Sequence, residues 1–396
     1  MASAFAQVTA VTALNLRTVP SRLGPSMVIV IGIAGVVGVL VALLAMAEGF
    51  RATLSSTGRA DRVLVLRGGA NDELSSVIYR SQVPTIEQAP GIRKDADGKP
   101  IAAAEVFMLT SLPRRGATDP TNVVVRGTQP NVLAVRPEVR IVEGRMFNSG
   151  MREIIAGRGA AAEFEGLTIG GSVAVRGDGW KVVGIFESGG NVHESEIWTD
   201  AEAIMSAANR GAPTSVIAQL ESESQLQPFK DFLTKDPSMT VDVLSEPKYY
   251  ASRSKMLSNL INGLGYFVAV VMAIGALFGA LNTMYAAVST RSVEIATLRA
   301  LGFGAAPVVV SIMLEAIVLA LAGGILGALI AFVLFNGYTI STLNGQTFSQ
   351  VAFDFRVTPA LLVQGIVWAA VIGLFGGLFP ALRAARMPVA EALRAG

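Results

Sequence analysis

Few residues in this chain are of types that could do covalent chemistry. The one histidine, His193, stands in Asn191–Val192–His193–Glu194–Ser195–Glu196, where acids and an amide could join it as ligands. A zinc site needs three or four converging donors, and the stretch has neither a second imidazole nor HExxH spacing. A solvated loop is therefore the expected setting for His193. No serine stands in a Gly-x-Ser-x-Gly elbow. Gly157–Arg158–Gly159 lacks the third glycine of a dinucleotide fingerprint, and no Gly-x-x-x-x-Gly-Lys-Ser/Thr occurs, so the chain cannot hold ATP in the P-loop manner. The absence of cysteine excludes disulfides and thiol nucleophiles. A net charge of +2 is too small to argue for nucleic acid. No cofactor and no metal is expected on the chain itself.

One segment carries chemistry of another kind. Ser289–Gly302 reads Ser-Thr-Arg-Ser-Val-Glu-Ile-Ala-Thr-Leu-Arg-Ala-Leu-Gly. As a helix it puts Glu294 and Leu298 on one face and Val293, Ala296 and Ala300 on another, and Gly302 with Gly304 ends it. It offers a charged and apolar surface between two long apolar runs, and those runs must position it.

The runs are Leu23–Ala47, Met256–Thr290, Pro307–Leu314 continuing past Glu315, and Val357–Leu382. A membrane-crossing helix needs about 20 mostly apolar residues, which the first, second and fourth runs supply outright and the third supplies if Glu315 is accommodated. The spacing predicts one span, a large external domain, then three spans. Arg17, Arg22, Arg291, Arg299, Arg383, Arg386 and Arg394 flank one side, whereas the loop between the third and fourth spans has Arg356 beside Asp354. Positive charge is retained on the cytoplasmic side, so both termini and the 289–306 loop are expected there. The first run is expected to be a retained anchor, since no small-residue cleavage pattern precedes Gly49–Phe50–Arg51. Glu315 lies near a helix end, where it can snorkel or pair with Arg291 or Arg299; a proton relay would need partners at membrane depth.

Small residues recur at helical spacing in the spans: Ala34, Gly38 and Ala42 in the first; Gly275, Gly279 and Thr283 in the second; Ala316, Ala320 and Gly324 in the third; Ala369, Gly373 and Gly377 in the fourth. Such ridges let helices approach closely, either within one subunit or between two. The second run would reach roughly 50 Å as a helix, against a hydrocarbon core of about 30 Å. Its outer end, with Asn259, Asn262, Gly263 and Gly265, is expected to form a stalk, with the glycines either hinging it or allowing close packing.

Between Glu48 and Met256 the signals are mixed α/β. Strands are predicted at Arg62–Leu66, Asn122–Arg126, Ile154–Ala156, Ser172–Arg176, Lys181–Phe186, Val216–Leu220 and Thr240–Leu244, with a hairpin turn at Gly177–Asp178–Gly179. Helices are predicted at Arg158–Phe164, at Asp200–Ala208 capped by Thr199, and at Ser224–Leu233. Arg80–Thr121, rich in Pro, Gly and charge, reads as mobile or loop-rich. A middle block flanked by strands suggests a second lobe inserted into the first.

The pattern Arg-x-x-Glu-Ile-Ala-x-Leu-Arg-Ala-Leu-Gly at 291–302, followed by Met313–Leu314–Glu315, resembles the FtsX/MacB-type permeases of ABC transporters, which include lipoprotein-releasing permeases. Pro380–Arg394 is similar to that family's ending and Glu48–Gly49–Phe50 to its start; Val142–Phe147 and Val182–Phe186 resemble its periplasmic core. The resemblance implies an α-helical membrane protein with four transmembrane helices (1+3) and a mixed α/β two-lobed periplasmic domain between the first and second. The expected boundaries are a cytoplasmic segment 1–22, helix 23–48, periplasmic domain 49–255, stalk and helix 256–288, coupling helix 289–306, helix 307–336, external loop 337–357, helix 358–380 and cytoplasmic tail 381–396. It further implies an inner-membrane location and two copies of a separate cytoplasmic ATPase carrying ATP and Mg. Arg291, Val293, Glu294, Leu298, Arg299 and Gly302 would then form the coupling contact. A second permease copy is expected near the first two spans, an identical copy being the simpler expectation, and a periplasmic adaptor or outer-membrane partner fits the scheme. Export or extraction of a drug, peptide, lipid or lipoprotein is the favoured activity. The alternative is a signal transmitter that activates a cell-wall hydrolase; a membrane-anchored enzyme is disfavoured because no catalytic constellation is present.

Overall fold

The structure is a computed structural model that describes residues 7–9, 11–13, 23–343 and 349–389. Arg17, Arg22 and Arg394, used above for orientation, and the end of the terminal motif lie outside the described residues. In chain order the elements begin with helix α1 (Leu23–Ser55), strand β1 (Arg62–Arg67), α2 (Val83–Glu87), β2 (Ala102–Leu112), β3 (Thr121–Thr128) and α3 (Val132–Val135). They continue with β4 (Arg140–Gly144), β5 (Glu153–Gly157), α4 (Arg158–Glu163), β6 (Ser172–Val175), β7 (Asp178–Glu187), β8 (Glu196–Asp200), α5 (Ala201–Ala207), β9 (Ser215–Gln219), α6 (Leu226–Lys235) and β10 (Val241–Ser245). The last are α7 (Glu246–Thr290), α8 (Ser292–Ala300), α9 (Ala305–Phe335), β11 (Thr339–Leu343), β12 (Gln350–Asp354) and α10 (Pro359–Arg386). Two units divide the chain: Met1–Glu48, Asn259–Tyr338 and Phe355–Gly396 form the first, Gly49–Ser258 and Thr339–Asp354 the second.

The first unit is helical. Among the described residues four helices, α1 from Ser26, α7, α9 and α10, are long and apolar enough to cross a membrane. Small residues set how they meet. A Cβ on Gly324 would lie 2.6 Å from Ala369 Cβ, and one on Gly377 2.6 Å from Ala316 Cβ, so the α9 and α10 ridges interdigitate. On another face of α9, a Cβ on Gly323 would lie 2.6 Å from Val30 O of α1. Close backbone approach of this kind gains dispersion contact that lipid does not supply.

In the second unit, ten strands form one sheet with the order β10-β1-β9-β2-β3-β8-β5-β7-β4, β6 pairing with β7. Among the described residues three apolar clusters lie along it. The smallest gathers Val132, Val139, Phe147, Ile155, Val183, Phe186 and Trp198. Of the two larger ones, one gathers Val63, Val65, Ile86, Phe229 and Leu233 around β1, β9 and β10; the other gathers Val125, Ile154, Trp180, Ile197 and Ile204. Strand β2 joins them, pairing with β9 over Ala102–Glu105 and with β3 over Val106–Leu112. The hairpin turn lies on Arg176 and Gly177, at φ 56° and 89°, one residue earlier than the expected Gly177–Asp178–Gly179, because Asp178 and Gly179 already pair with Val175 and Ala174.

Four sequence expectations are corrected here. Arg80–Thr121 is less loop-rich than expected: it holds α2 and the eleven-residue β2, buried over most of its length. Residues 337–357 are not a plain loop, because β11 and β12 pair antiparallel within them and belong to the second unit. Asp200, not Thr199, caps α5: its carboxylate accepts from Ala203 N at 3.0 Å, while Thr199 Oγ1 donates to Glu153 O. The long helix begins at Glu246 rather than near Met256, so the expected stalk is the middle of one continuous helix.

Candidate functional site

Helix α8 is short and sharply bounded. Arg291 is its N-cap and Leu301 its C-cap. Gly302 at φ 94° lets Gly302 N donate to Arg299 O and Phe303 N to Leu298 O, both at 3.1 Å, which closes the helix with a pair of reversed bonds. Gly302 therefore acts as the terminator that the sequence reading also saw in it. Ile295 and Ala296 are buried; Val293, Glu294, Thr297, Ala300 and Leu301 are exposed and follow one another at helical spacing, Leu301 being 73% exposed. Leu298 and Arg299 are half-buried.

The two arginines assigned from sequence to the coupling contact turn inward. Arg291 Nη1 donates to Glu315 Oε2 at 2.9 Å and both residues are buried, so of the two expected partners, Arg291 and Arg299, it is Arg291 that pairs with that acid. Arg299 Nη1 donates to Ala385 O and Met387 O at 2.8 and 3.0 Å. Sequence reasoning missed Thr297 and Leu301; the signal was available, since they continue the face begun by Val293 by steps of four residues.

The ridge residues separate. Ala34 is buried, and a Cβ on Gly38 would meet Gly327 O at 3.6 Å. With Gly35, Val39 and Leu326 these two and Ala42 line an apolar groove. Gly275 and Gly279 of α7 face open space within this chain, and Thr283 Oγ1 bonds back to Gly279 O at 2.8 Å. Of the stalk residues, Gly265 packs on Leu43, whose Cβ would lie 3.2 Å from an added Cβ, while Gly263 is open and Asn259 exposed; Asn262 is half-buried.

The second unit contains a cluster that sequence reading did not find. His193 is fully buried, not in a solvated loop, because its Nδ1 lies 3.2 Å from Glu196 Oε2 inside a buried ionic hub. Arg126, from β3, reaches Glu73 at 2.8 Å, Glu105 at 2.7 Å and Glu196 at 2.8 Å. Arg136 bridges Glu105 at 3.1 Å and Glu246, the first residue of α7. Arg62 Nε pairs with Glu246 Oε2 at 2.6 Å and its Nη2 with Glu138 Oε1 at 2.6 Å. Trp198 Nε1 also donates to Glu196, at 2.7 Å. Burial would raise the carboxyl groups of Glu196 and Glu246, yet the guanidinium groups of Arg126 beside the first and Arg136 beside the second hold both well below the usual range. Each of Glu73, Glu105, Glu196 and Glu246 is held by at least one guanidinium, so the hub reads as an ionic lock rather than an acid or base poised for reaction.

Membrane-length helices, a mixed α/β domain and a short capped helix with an exposed face between two of the long ones fit a multi-pass membrane protein that carries a separate α/β domain. The chain matches the MacB-like periplasmic core domain over residues 26–235 and the FtsX-like permease C-terminal region over residues 266–389. It belongs to the FtsX/MacB family of ABC transporter permeases. It is 24% identical over 419 residues to the uncharacterized ABC transporter permease YvrN of Bacillus subtilis (strain 168), covering 96% of each chain. A 36% identical stretch of 146 residues aligns with the macrolide export ATP-binding/permease protein MacB of Nitrobacter winogradskyi, covering 37% of this chain and 21% of that longer protein. The solved periplasmic region of MacB from Actinobacillus actinomycetemcomitans covers 47% of this chain and 89% of its own at 11% identity, with a TM-score of 0.36. A cytoplasmic ATPase partner follows from the family.

Proposed function

We propose that this chain is the permease subunit of an inner-membrane transporter that passes ATP-driven motion from a separate ATPase to the periplasmic domain, to export or extract a periplasmic or membrane-embedded substrate. The observation that carries the reading is the exposed face of α8, where Val293, Glu294, Thr297 and Leu301 present two apolar groups and an acid on a helix closed by Gly302. Exposed apolar groups rimmed by charge are what a partner surface needs. The α1, α7, α9 and α10 helices span as one plus three, and both termini and α8 lie in the cytoplasm. Two ATPase copies serve two permease copies, with Gly275 and Gly279 of α7 open for a second, identical subunit. The core around β1, β9 and β10 and the core around β3, β5 and β8 belong to two lobes on which an adaptor or outer-membrane partner would act. Support for a transport role comes from the macrolide-export relatives, whose names also include an ATP-binding part that has no counterpart motif in this chain.

Leu301→Asp tests the docking face. A buried interface leucine replaced by a charge loses its transfer energy and adds desolvation cost, so ATPase co-purification should fall at least about tenfold while the permease keeps its melting temperature. Undiminished co-purification would overturn this face as the docking surface.

A further inference from the structure

Helix α8 is tied to its own chain at both ends. At the start, Arg291 reaches the buried Glu315 of α9 at 2.9 Å. In the last turn, Arg299 Nη1 donates to the carbonyls of Ala385 and Met387, the final turn and C-cap of α10. Those carbonyls belong to the four that a helix end leaves without intrahelical donors, and they carry the negative end of its dipole. A guanidinium there satisfies both. The recipients α9 and α10 are themselves interlocked through Gly324 on Ala369 and Gly377 on Ala316.

A buried ion pair costs desolvation that an apolar pair would not, so it is weak evidence for stability and better evidence for fixing an orientation. We propose that Arg291, Glu315 and Arg299 are positioning residues that bolt α8 to the α9–α10 pair, so that a partner seated on α8 moves three helices as one body. This deepens the docking reading and rests on it for the identity of the partner. Towards α7, α8 is joined through the single residue Arg291, between Thr290 and Ser292. Without the bolts, a push on α8 would be absorbed by rotation about that turn.

The chain's lack of cysteine allows spin labels at Thr297→Cys on α8 and Leu382→Cys on α10, both exposed, to report the bolt in nanodiscs without any ATPase. The distance distribution should be narrow in the otherwise unchanged protein and broad in Arg299→Ala and Glu315→Gln. Both carbonyls accept from the same nitrogen of Arg299, so one ammonium can replace it, and Arg299→Lys should restore the narrow distribution. With the ATPase added, the two broadened variants should retain it while permease-stimulated turnover falls about two- to thirtyfold, the usual range for lost coupling. An equally narrow distribution in Arg299→Ala, whose half-buried side chain can be removed without opening the core, overturns the bolt. Broadening with unchanged turnover overturns its role in coupling. Should the unaltered permease recruit no ATPase, the docking reading falls and the label distances decide the bolt alone.

Discussion

Buried charge is used in two different ways in the two units. In the second unit Arg62, Arg126 and Arg136 face Glu73, Glu105, Glu138, Glu196 and Glu246, and each guanidinium touches at least two carboxylates. In the first unit the motif is a pair, Arg291 with Glu315. Helix α7 runs between them in sequence, from Glu246 in the hub to Thr290 beside Arg291. A shared network resists rearrangement because each of its arginines holds two or more acids, whereas a pair fixes one direction. The difference teaches that the hub sets where α7 begins on the sheet, and the pair sets how α8 is aimed.

The comparison breaks most visibly at Arg126. Arg126→Met removes the cation common to Glu73, Glu105 and Glu196 and leaves three carboxylates buried together. Breaking a buried pair from one side costs about 3–5 kcal/mol; here Glu73 and Glu196 lose the arginine that pairs with them while Glu105 keeps Arg136, so the expected outcome is a protein that no longer accumulates folded. Thermal unfolding of the full chain checks it; an unchanged melting temperature would show that the hub adds nothing to stability.

Acid should act on the same network with a smaller, graded effect. Burial would raise Glu73, Glu196 and Glu246, but the neighbouring Arg126 and Arg136 leave all three below the ordinary carboxylate value of 4.5. Depressed folded-state values mean that the unfolded chain binds protons first. The stabilisation is therefore full above pH 4.5 and is lost as pH falls towards the folded-state values. Melting temperatures should stay level from neutrality to about pH 5.5 and decline below the ordinary range, since one unit spans a tenfold change in protonation. A protein most stable near pH 3 would contradict the ionised hub.

How far these regions were legible in the sequence follows the same division. Strands made of β-branched runs, such as Val216–Leu220 and Lys181–Phe186, were found because their pattern is local, and the turn before β7 was found because glycine supplies its positive φ. Strand β2 was hidden: Ala102–Ala104 favour no strand, and Glu105 looked like a solvent residue although it is fully buried. Strand β8 and His193 were missed for the same reason, since Glu196 is held by Arg126 from a strand 70 residues earlier. Charges read as surface until their partners are known, and no local pattern reveals those partners. On α8 the segment and its end were legible from Glu294 and Gly302, but the inward turn of Arg291 and Arg299 depends on α9 and α10 packing against it.

The smallest expected effect lies at the rim of the hub and sharpens the contrast between network and pair. Glu138 is 27% exposed and accepts from both terminal nitrogens of Arg62 at 2.6 and 3.0 Å. Arg62 keeps two other acceptors when Glu138 is altered, Glu246 at 2.6 Å and Val135 O at 2.9 Å. Glu138→Gln removes a charge while leaving one carbonyl acceptor in place, and water can reach the rest of the site. The cost should therefore be about 1 kcal/mol or less, within the range for one partly exposed hydrogen-bonded pair. Chemical unfolding of the full chain measures it against the unaltered protein, and the yield of folded protein compares it with Arg126→Met. If Glu138→Gln proves as damaging as Arg126→Met, the hub behaves as a chain of separate pairs, each indispensable, and the distinction from Arg291–Glu315 disappears. If the loss is small, the redundancy is real, because the network holds α7 at Glu246 even after one of its acids is neutralised.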